Sequence, residues 1–187
     1  MAASNTLKVG IPVSLSGQFQ VQGMQALAGL QAWAEDVNRA GGVKVGHSDA
    51  GRLVSIVYYD DASKTAQTRQ ATERLITSDR VDLLFGPYSG VLALASAQMA
   101  EGHGRLLWNQ GGASDTIYQR GFKWVVGVLT PASRYLAEWL PLVREADPNA
   151  VSLAIVRAST GAFPQAVTST VESQAARLGF RISLLRE

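Results

Sequence analysis

Val81-Asp82-Leu83-Leu84-Phe85-Gly86-Pro87-Tyr88-Ser89-Gly90 is the stretch that decides the fold. A short apolar run ends at Gly86-Pro87, and Ser89 stands in front of a longer apolar run, residues 91–99. Because the first run is too short for a helix and is bounded by residues that break regular structure, the pattern predicts a strand, a tight turn and a helix. The Ser89 hydroxyl is placed to cap the helix by accepting from a backbone N–H of its first turn.

The start of this helix is also a candidate binding position for a small anion such as a carboxylate. The first N–H groups of a helix lack intrahelical acceptors, and the helix dipole favours negative charge at the same place. The alternative is that Ser89 only caps the helix, which is a common use of serine.

Strand patterns alternate with helix patterns on both sides of this stretch. The predicted strands cover residues 7–13, 53–59, 81–85, 105–108 and 122–128. Met24, Leu27, Leu30, Ala34 and Val37 recur at helical spacing after the first strand, and Ser63 is predicted to cap the helix after the second. Strands that alternate with helices are parallel and joined by right-handed crossovers, so we predict an α/β, flavodoxin-like, doubly wound parallel sheet.

Four loops follow the predicted strands at their carboxyl ends, where doubly wound sheets bind ligands. They cover residues 14–23, 60–63, 86–89 and 109–115. Three of the four are rich in glycine and serine. We therefore expect a binding site built from hydroxyl groups and backbone N–H groups, with Phe19, Tyr88 and Trp108 as apolar walls.

The pattern starts again after Thr130-Pro131. A helix is predicted over 135–143, a strand over 151–156, a helix from 167 to 178 and a last strand over 180–185. We place a lobe boundary here, giving an N-terminal lobe of residues 1–130 and a partial C-terminal lobe of residues 131–187. Two strands are too few for an independent sheet core.

Composition excludes several classes of protein. The 187 residues contain no cysteine, which excludes disulfides and thiolate sites. Lys and Arg are scattered and the net charge is only +2, so no nucleic-acid partner is expected. No segment is apolar enough to cross a membrane, and residues 1–6 lack the apolar core of a signal peptide. The protein is therefore expected to be cytoplasmic, or to have had an export signal replaced by the starting Met.

No catalytic motif is found, and we predict a binding protein without cofactor and not an enzyme. The dinucleotide-binding spacing, the P-loop and the Gly-x-Ser-x-Gly nucleophile elbow are all absent. His47 and His103 lie in polar, glycine-containing segments, which is typical of solvated loop histidines. Asp60-Asp61 at a strand end is a candidate Mg²⁺-dependent phosphoacceptor, but the other loops offer few carboxylates to complete such a site, and a turn that enters a helix explains the pair.

The motifs together resemble the type I periplasmic solute-binding proteins, the branched-chain amino-acid receptor family of ABC transporters. The matching segments are residues 8–17 (KVGIPVSLSG), 35–43 (EDVNRAGGV), 59–63 (YDDAS), 86–89 (GPYS) and 151–161 (VSLAIVRASTG). Their order and spacing match along the whole chain.

The resemblance implies two flavodoxin-like lobes that close on a ligand. It implies that Ser89 holds an amino-acid carboxylate, that the loop of Gly111 to Ala113 adds backbone and hydroxyl contacts, that residues 16–22 form a wall, and that Thr160 to Phe163 contribute from the second lobe. The predicted ligand contacts, from the residues and the resemblance together, are Ser16, Phe19, Gln22, Tyr88, Ser89, Gln110, Gly111, Gly112, Ala113, Ser114 and Phe163. No metal ligand is among them.

Three departures from the family pattern bear on these expectations. Ala113 stands where many relatives have Thr, so that hydroxyl contact is missing or is supplied by Ser114. Residues 157–163 lack the acidic run and the tyrosine that are usual in the family. We therefore predict that the ligand carries a carboxylate, and we do not predict its side chain. The family's chains are also about twice as long, so the second lobe is incomplete, and we expect residues 151–156 or 181–185 to pair with another chain in a homodimer, or the residues beyond about 131 to be poorly ordered.

The expected function is therefore the extracytoplasmic, periplasmic solute-binding component of an ABC transporter. Its partners would be an amino acid or similar small carboxylate and a membrane ABC permease. The alternative is a ligand-sensing domain of a receptor or regulator with the same fold.

Overall fold

The computed structural model describes the chain in three stretches, residues 6–46, 50–159 and 162–187. The described residues form two compact units. The first unit contains the residues up to Gly112 together with Arg120–Leu129, and the second contains Ala113–Gln119 and the residues from Thr130 onward. The segment Ala113–Gln119, which precedes the predicted lobe boundary, therefore packs with the second unit.

The first unit is a five-stranded parallel sheet with three helices. Its strands are β1 Thr6–Val13, β2 Leu53–Asp60, β3 Leu83–Phe85, β4 Leu107–Asn109 and β5 Val125–Gly127. Its helices are α1 Gln20–Arg39, α2 Thr65–Thr77 and α3 Gly90–Gly102. The strand order is β2-β1-β3-β4-β5 and every pair is parallel. The predicted doubly wound parallel sheet is confirmed.

Helices pack on both faces of this sheet, and side chains alternate between the two faces along β1. Val9, Ile11 and Val13 are buried in one core cluster with residues of α1. Gly10 faces the other way, because a Cβ placed on it would lie 3.0 Å from the side chain of Leu75 of α2. The second cluster joins α2 and α3 to the sheet, and its buried residues include Leu75, Ile76, Val81, Leu84, Ala97, Ala100 and Leu107.

The second unit contains two parallel strands and three helices. They are α4 Asp115–Gln119, α5 Trp139–Ala146, β6 Ser152–Val156, α6 Ala162–Arg177 and β7 Arg181–Arg186, with a 3₁₀ turn over Ala132–Arg134. β6 pairs with β7. The unit has its own buried cluster, formed by Leu140, Leu153, Ile155, Val171, Ala175 and Phe180.

Some predicted boundaries are wrong, and side-chain hydrogen bonds explain two of them. β3 begins at Leu83 and not at Val81, because the carboxylate of Asp82 accepts from the Lys8 N–H at 2.9 Å in place of a strand carbonyl. Ser63 does not cap α2, since the capping position is Lys64 and the Ser63 hydroxyl is used by another loop.

Three other boundaries also differ. α1 begins at Gln20, inside the stretch predicted as loop. β5 has only three residues, and α5 begins at Trp139 after the 3₁₀ turn. Among the described residues, no helix combines the length and the apolarity that crossing a membrane requires.

Candidate ligand-binding site

The loops that follow β1 to β4 lie at one edge of the parallel sheet, here called the carboxyl edge. The loop after β3 turns at Gly86-Pro87 and enters α3 through Ser89. The predicted cap is confirmed, because the Ser89 hydroxyl accepts from the Leu92 N–H at 3.4 Å. The first N–H groups of α3 thus point out of this edge beside a serine hydroxyl, an arrangement suited to a carboxylate.

Ser89 adopts a backbone conformation that few residues other than glycine adopt. Its φ is 80° and its ψ is 143°. For a residue with a side chain such a conformation costs about 1–3 kcal/mol and is found preferentially at functional sites. The strain shows that the surrounding turn holds Ser89 in place against its own backbone preference.

The loop after β4 is joined to this turn through backbone contacts. The Ser89 N–H donates to the Gly111 carbonyl at 3.0 Å. A Cβ on Gly111 would lie 2.6 Å from the Pro87 carbonyl oxygen and 2.8 Å from the Tyr88 Cα, so only glycine allows this approach. The structure therefore brings Tyr88, Ser89 and Gly111 together, as the sequence predicts.

Two side chains, one from the last residue of β4 and one from the residue after it, fix the shape of the second loop. Asn109 is fully buried, and its amide both donates to the Gly112 carbonyl at 2.7 Å and accepts from the Gly112 N–H at 3.0 Å. The Gln110 amide donates to the Gly86 carbonyl at 2.9 Å. Gln110 therefore connects the two loops.

Two of the three predicted wall residues, Phe19 and Tyr88, contact each other within the first unit. The rings of Phe19 and Tyr88 make an edge-to-face contact with centroids 5.6 Å apart. Tyr88 keeps 40% of its surface exposed, which leaves it available to a ligand. Gln22 lies on the exposed first turn of α1.

Ser16 is held by the neighbouring loop. Its hydroxyl donates to the Asp60 carboxylate at 2.7 Å, so the Ser16 hydroxyl is left to a ligand as an acceptor. Burial raises the pKa of Asp60, but hydrogen bonds from the Ser16 hydroxyl and from the N–H groups of Ala62, Leu15 and Ser16 outweigh it, and the pKa lies below its ordinary value. Asp60 is therefore a stable carboxylate.

The Asp60-Asp61 pair is occupied by donors of the protein itself. Asp61 is completely buried and accepts from the Ser14 hydroxyl at 2.6 Å and from the Ser63 N–H at 2.9 Å. Within the described stretches, no group of three His, Asp or Glu side chains is placed to hold a metal ion. The pair serves as a turn that satisfies backbone donors, the second of the two interpretations given above.

Three predicted contacts lie in the second unit. Ala113 accepts from the Ala132 N–H at 2.7 Å through its carbonyl, and the Ser114 hydroxyl pairs with that of Thr116 at 2.8 Å. Phe163 packs edge-to-face on Tyr135 with centroids 5.7 Å apart.

Other residues named from the sequence fall elsewhere. Thr160, Gly161 and His47 lie outside the described residues. His103 lies at the end of α3 and pairs with Glu73 of α2 at 3.0 Å. That position is far along α3 from Ser89, since the helix has 13 residues.

An open pocket of about 620 Å³ lies in the first unit between α1 and the sheet. Its lining is apolar and aromatic apart from two glutamines, and consists of Ile11, Gln25, Ala26, Gly29, Leu30, Trp33, Leu83, Phe85, Trp108 and Gln110. Trp108, predicted as a wall of the ligand site, lies in this pocket. The edge-to-face pair of Phe19 and Tyr88 is not part of the pocket lining.

The sequence placed Asp60, Ser63 and Asn109 in loops at the carboxyl ends of strands, but it did not predict that their side chains hold the loops of the site. Asn109 ends β4 and Asp60 ends β2, and short polar side chains at strand ends are typical of turns that bond to their own backbone. That signal predicts a turn, but it does not show which neighbouring loop the side chain will bond to.

Comparison with known proteins gives a consistent result. The family model described as "Periplasmic binding protein" matches residues 6–185. A relative from Brucella abortus (strain 2308), named Leu/Ile/Val-binding protein homolog 8, is 29% identical over 124 residues, which cover 66% of this chain and 29% of the relative.

Solved structures match over almost the whole chain. The branched-chain amino acid transporter substrate-binding protein LivJ of Streptococcus pneumoniae, solved in complex with isoleucine, has a TM-score of 0.75 at 20% identity; the match covers 97% of this chain and 49% of that one. A solute-binding protein of an ABC transporter from Rhodopseudomonas palustris BisB5, solved with 3,4-dihydroxybenzoic acid, has a TM-score of 0.79 at 17% identity and coverages of 97% and 47%. The chain thus spans about half of each solved structure and less than a third of the Brucella relative.

Proposed function

The chain belongs to the periplasmic binding protein family, and on that premise we propose that it contributes one lobe and part of a second to the extracytoplasmic solute-binding component of an ABC transporter. Proteins of this family bind solutes for transport and are not enzymes. The proposed ligand is an amino acid or a similar small carboxylate, and the proposed partner is a membrane permease.

The observation that carries the proposal is the start of α3. A serine hydroxyl and the first N–H groups of a helix are presented at the carboxyl edge, and the Ser89 N–H and the Gly111 carbonyl join this turn to the next loop. Helix N-termini bind anions because their N–H groups are free and their dipole is favourable. The edge-to-face pair of Phe19 and Tyr88 supplies an apolar surface nearby.

The ligands named for two solved neighbours support the proposal that the ligand carries a carboxylate, but they do not favour one particular side chain. One neighbour holds isoleucine and the other 3,4-dihydroxybenzoic acid. The two molecules differ in shape and polarity, but both carry a carboxylate. We therefore propose that carboxylate recognition at Ser89 is the common element and that the ligand's remainder is set by other residues.

The proposed organisation follows the lobes expected from the sequence, residues 1–130 and 131–187. Ala113, Ser114 and Phe163 are proposed to contribute the second lobe's side of the site. The sheet of the second unit has two strands, each with a single partner among the described residues. We propose that β6 or β7 pairs with a second copy of the chain, and a monomer over a wide range of concentrations in light scattering would reject that pairing.

Titration calorimetry tests the ligand proposal. The chain is titrated with a panel of amino acids and hydroxybenzoic acids, and the tightest ligand is carried forward to Ser89→Ala. Losing a charge-assisted hydrogen bond should weaken binding by about 1–3 kcal/mol. Ser78→Ala, at the opposite end of α2 and so away from the carboxyl edge, is the control and should bind normally. An unchanged affinity in Ser89→Ala would reject the role assigned to Ser89.

A further inference from the structure

We propose that Asp60, the last residue of β2, and Ser63, in the loop between β2 and α2, are positioning residues that hold the loop between β1 and α1 in its ligand-binding shape. The loop they hold carries Ser16 and Phe19, two of the proposed ligand contacts. The inference rests on the proposed function for its consequence on binding, but the holding contacts themselves are independent of any ligand.

The Asp60 carboxylate accepts hydrogen bonds from several donors at the start of the loop between β1 and α1. It accepts from the Leu15 N–H at 2.9 Å, the Ser16 N–H at 3.3 Å and the Ser16 hydroxyl at 2.7 Å. It also accepts from the Ala62 N–H of its own loop at 2.8 Å. Four donors on one carboxylate set both the backbone path at Leu15 and Ser16 and the direction of the Ser16 side chain.

Ser63 bridges the other end of the same loop. Its hydroxyl donates to the Ser16 carbonyl at 2.9 Å and accepts from the Phe19 N–H at 3.0 Å. Phe19 is the residue that precedes α1. One hydroxyl therefore fixes the distance between Ser16 and the first turn of α1, and with it the position of the Phe19 ring.

The two loops also meet backbone to backbone. A Cβ on Gly17 would lie 2.6 Å from the Ala62 carbonyl oxygen, and φ at Gly17 is 83°. Ala62 and Ser63 have positive φ values of 49° and 57°, which is uncommon for residues with side chains. The β2–α2 loop is thus held in a conformation that its own residues disfavour, and in that conformation it contacts the β1–α1 loop.

The contacts extend as far as the residue proposed to bind the carboxylate. Phe19, fixed by Ser63, packs on Tyr88, and Tyr88 is the neighbour of Ser89 in the chain. Asp61 anchors the base of the arrangement through the Ser14 hydroxyl. A change at Ser63, which is not proposed to touch the ligand, should therefore reach the aromatic wall through Phe19.

Ser63→Gly is the sharpest test, because glycine accepts the positive φ, and the substitution removes the hydroxymethyl group together with both of its hydrogen bonds to the loop between β1 and α1. Ala62→Gly is the matched control, since it relieves the same kind of backbone strain and leaves every hydrogen bond of Asp60 and Ser63 in place. Amide hydrogen exchange of the ligand-free chain is measured first. We expect exchange at Phe19 to become about tenfold faster in Ser63→Gly, as the loss of one hydrogen bond implies, and to stay unchanged in Ala62→Gly.

Affinity is measured second, with the tightest carboxylate of the calorimetry panel. We expect Ser63→Gly to bind about tenfold more weakly with a melting temperature close to that of the unaltered chain, and Asp60→Asn to act in the same direction. Unchanged exchange at Phe19 in Ser63→Gly, or faster exchange with unchanged affinity, would overturn the positioning role. If the unaltered chain binds no member of the panel, the proposed function fails, whereas the exchange measurement still decides whether Ser63 holds the loop.

Discussion

At the scale of single residues, Ser89 combines two opposing requirements. Its hydroxyl caps α3, while its backbone has φ 80° and ψ 143°, a region that glycine occupies without strain. A residue chosen for stability alone would be glycine, since replacing a serine cap by glycine costs only a few tenths of a kcal/mol. Retention of a hydroxyl at a strained position agrees with a use beyond capping.

This conflict predicts an order of stability for three side chains at position 89. Ser89→Gly relieves the strain but increases the freedom of the unfolded chain, so its free energy of unfolding should equal or exceed that of the serine protein by up to about 1 kcal/mol. Ser89→Ala keeps the strain and loses the cap, so it should be less stable by about 1 kcal/mol. Urea denaturation measures both, and a glycine variant less stable than the alanine variant would contradict the strain.

The sequence correctly predicted that Ser89 caps α3, because the signals for this cap are local. A strand, a Gly-Pro turn and a serine before an apolar run are neighbours in the chain, so no long-range contact is needed to interpret them. Ser63 had the same local appearance and the prediction of a cap was wrong. Its hydroxyl bonds to Ser16 and Phe19, 47 and 44 positions earlier in the chain, and spacing rules contain no information about such partners.

At the scale of elements, the carboxyl edge depends on how closely two loops approach each other. Gly111 is packed against the backbone of Pro87 and Tyr88, and the Ser89 N–H bonds to the Gly111 carbonyl. Gly29, in the middle of α1, is the opposite case, because a Cβ there would meet no atom within 4 Å. The two glycines are therefore a matched pair for the same substitution.

Gly111→Ala should lower the free energy of unfolding by about 1–3 kcal/mol, because the new methyl group collides with backbone that cannot move aside cheaply. Gly29→Ala should raise it by about 0.5–1 kcal/mol, because alanine is the better helix former. Chemical denaturation of both variants gives the comparison. Equal effects of the two substitutions would show that the close approach at Gly111 does not constrain the loop.

At the scale of the whole molecule, the sheet of the first unit is covered unequally. α2 and α3 bury Leu84 and Leu107 to 1% and 0% exposure. On the face of α1, Trp108 and Val126 stand side by side in the strand register and remain 38% and 39% exposed. Parallel sheets are normally covered by helices on both faces, so this face is incomplete within the described residues.

The sequence indicated the elements of this sheet but not its open face. The alternation of strands and helices predicts that helices cover both faces. It does not show that α1 would reach as far as Phe85 of β3 while Trp108 of β4 and Val126 of β5 stay exposed. Trp108, the last residue of the strand predicted over 105–108, was predicted as an apolar wall of the ligand site because it is an aromatic residue close to the loops of that site. Its side chain lines the pocket beside Trp33 and Phe85, since alternation along β4 turns residue 108 to the face opposite that of Leu107.

The open face predicts how the 187-residue chain behaves in solution. Contiguous exposed apolar surface binds amphiphilic dyes and promotes association, whereas scattered apolar residues do not. The chain should therefore enhance the fluorescence of anilinonaphthalene sulfonate, and the double change Trp108→Thr and Val126→Thr should remove about half of that signal. Val45→Thr, at an exposed valine outside the pocket lining, is the control and should leave the signal unchanged. Dye binding that is absent, or that survives the double change intact, would show that this face is closed in solution, and the incomplete cover of β4 and β5 would then have no consequence for the molecule.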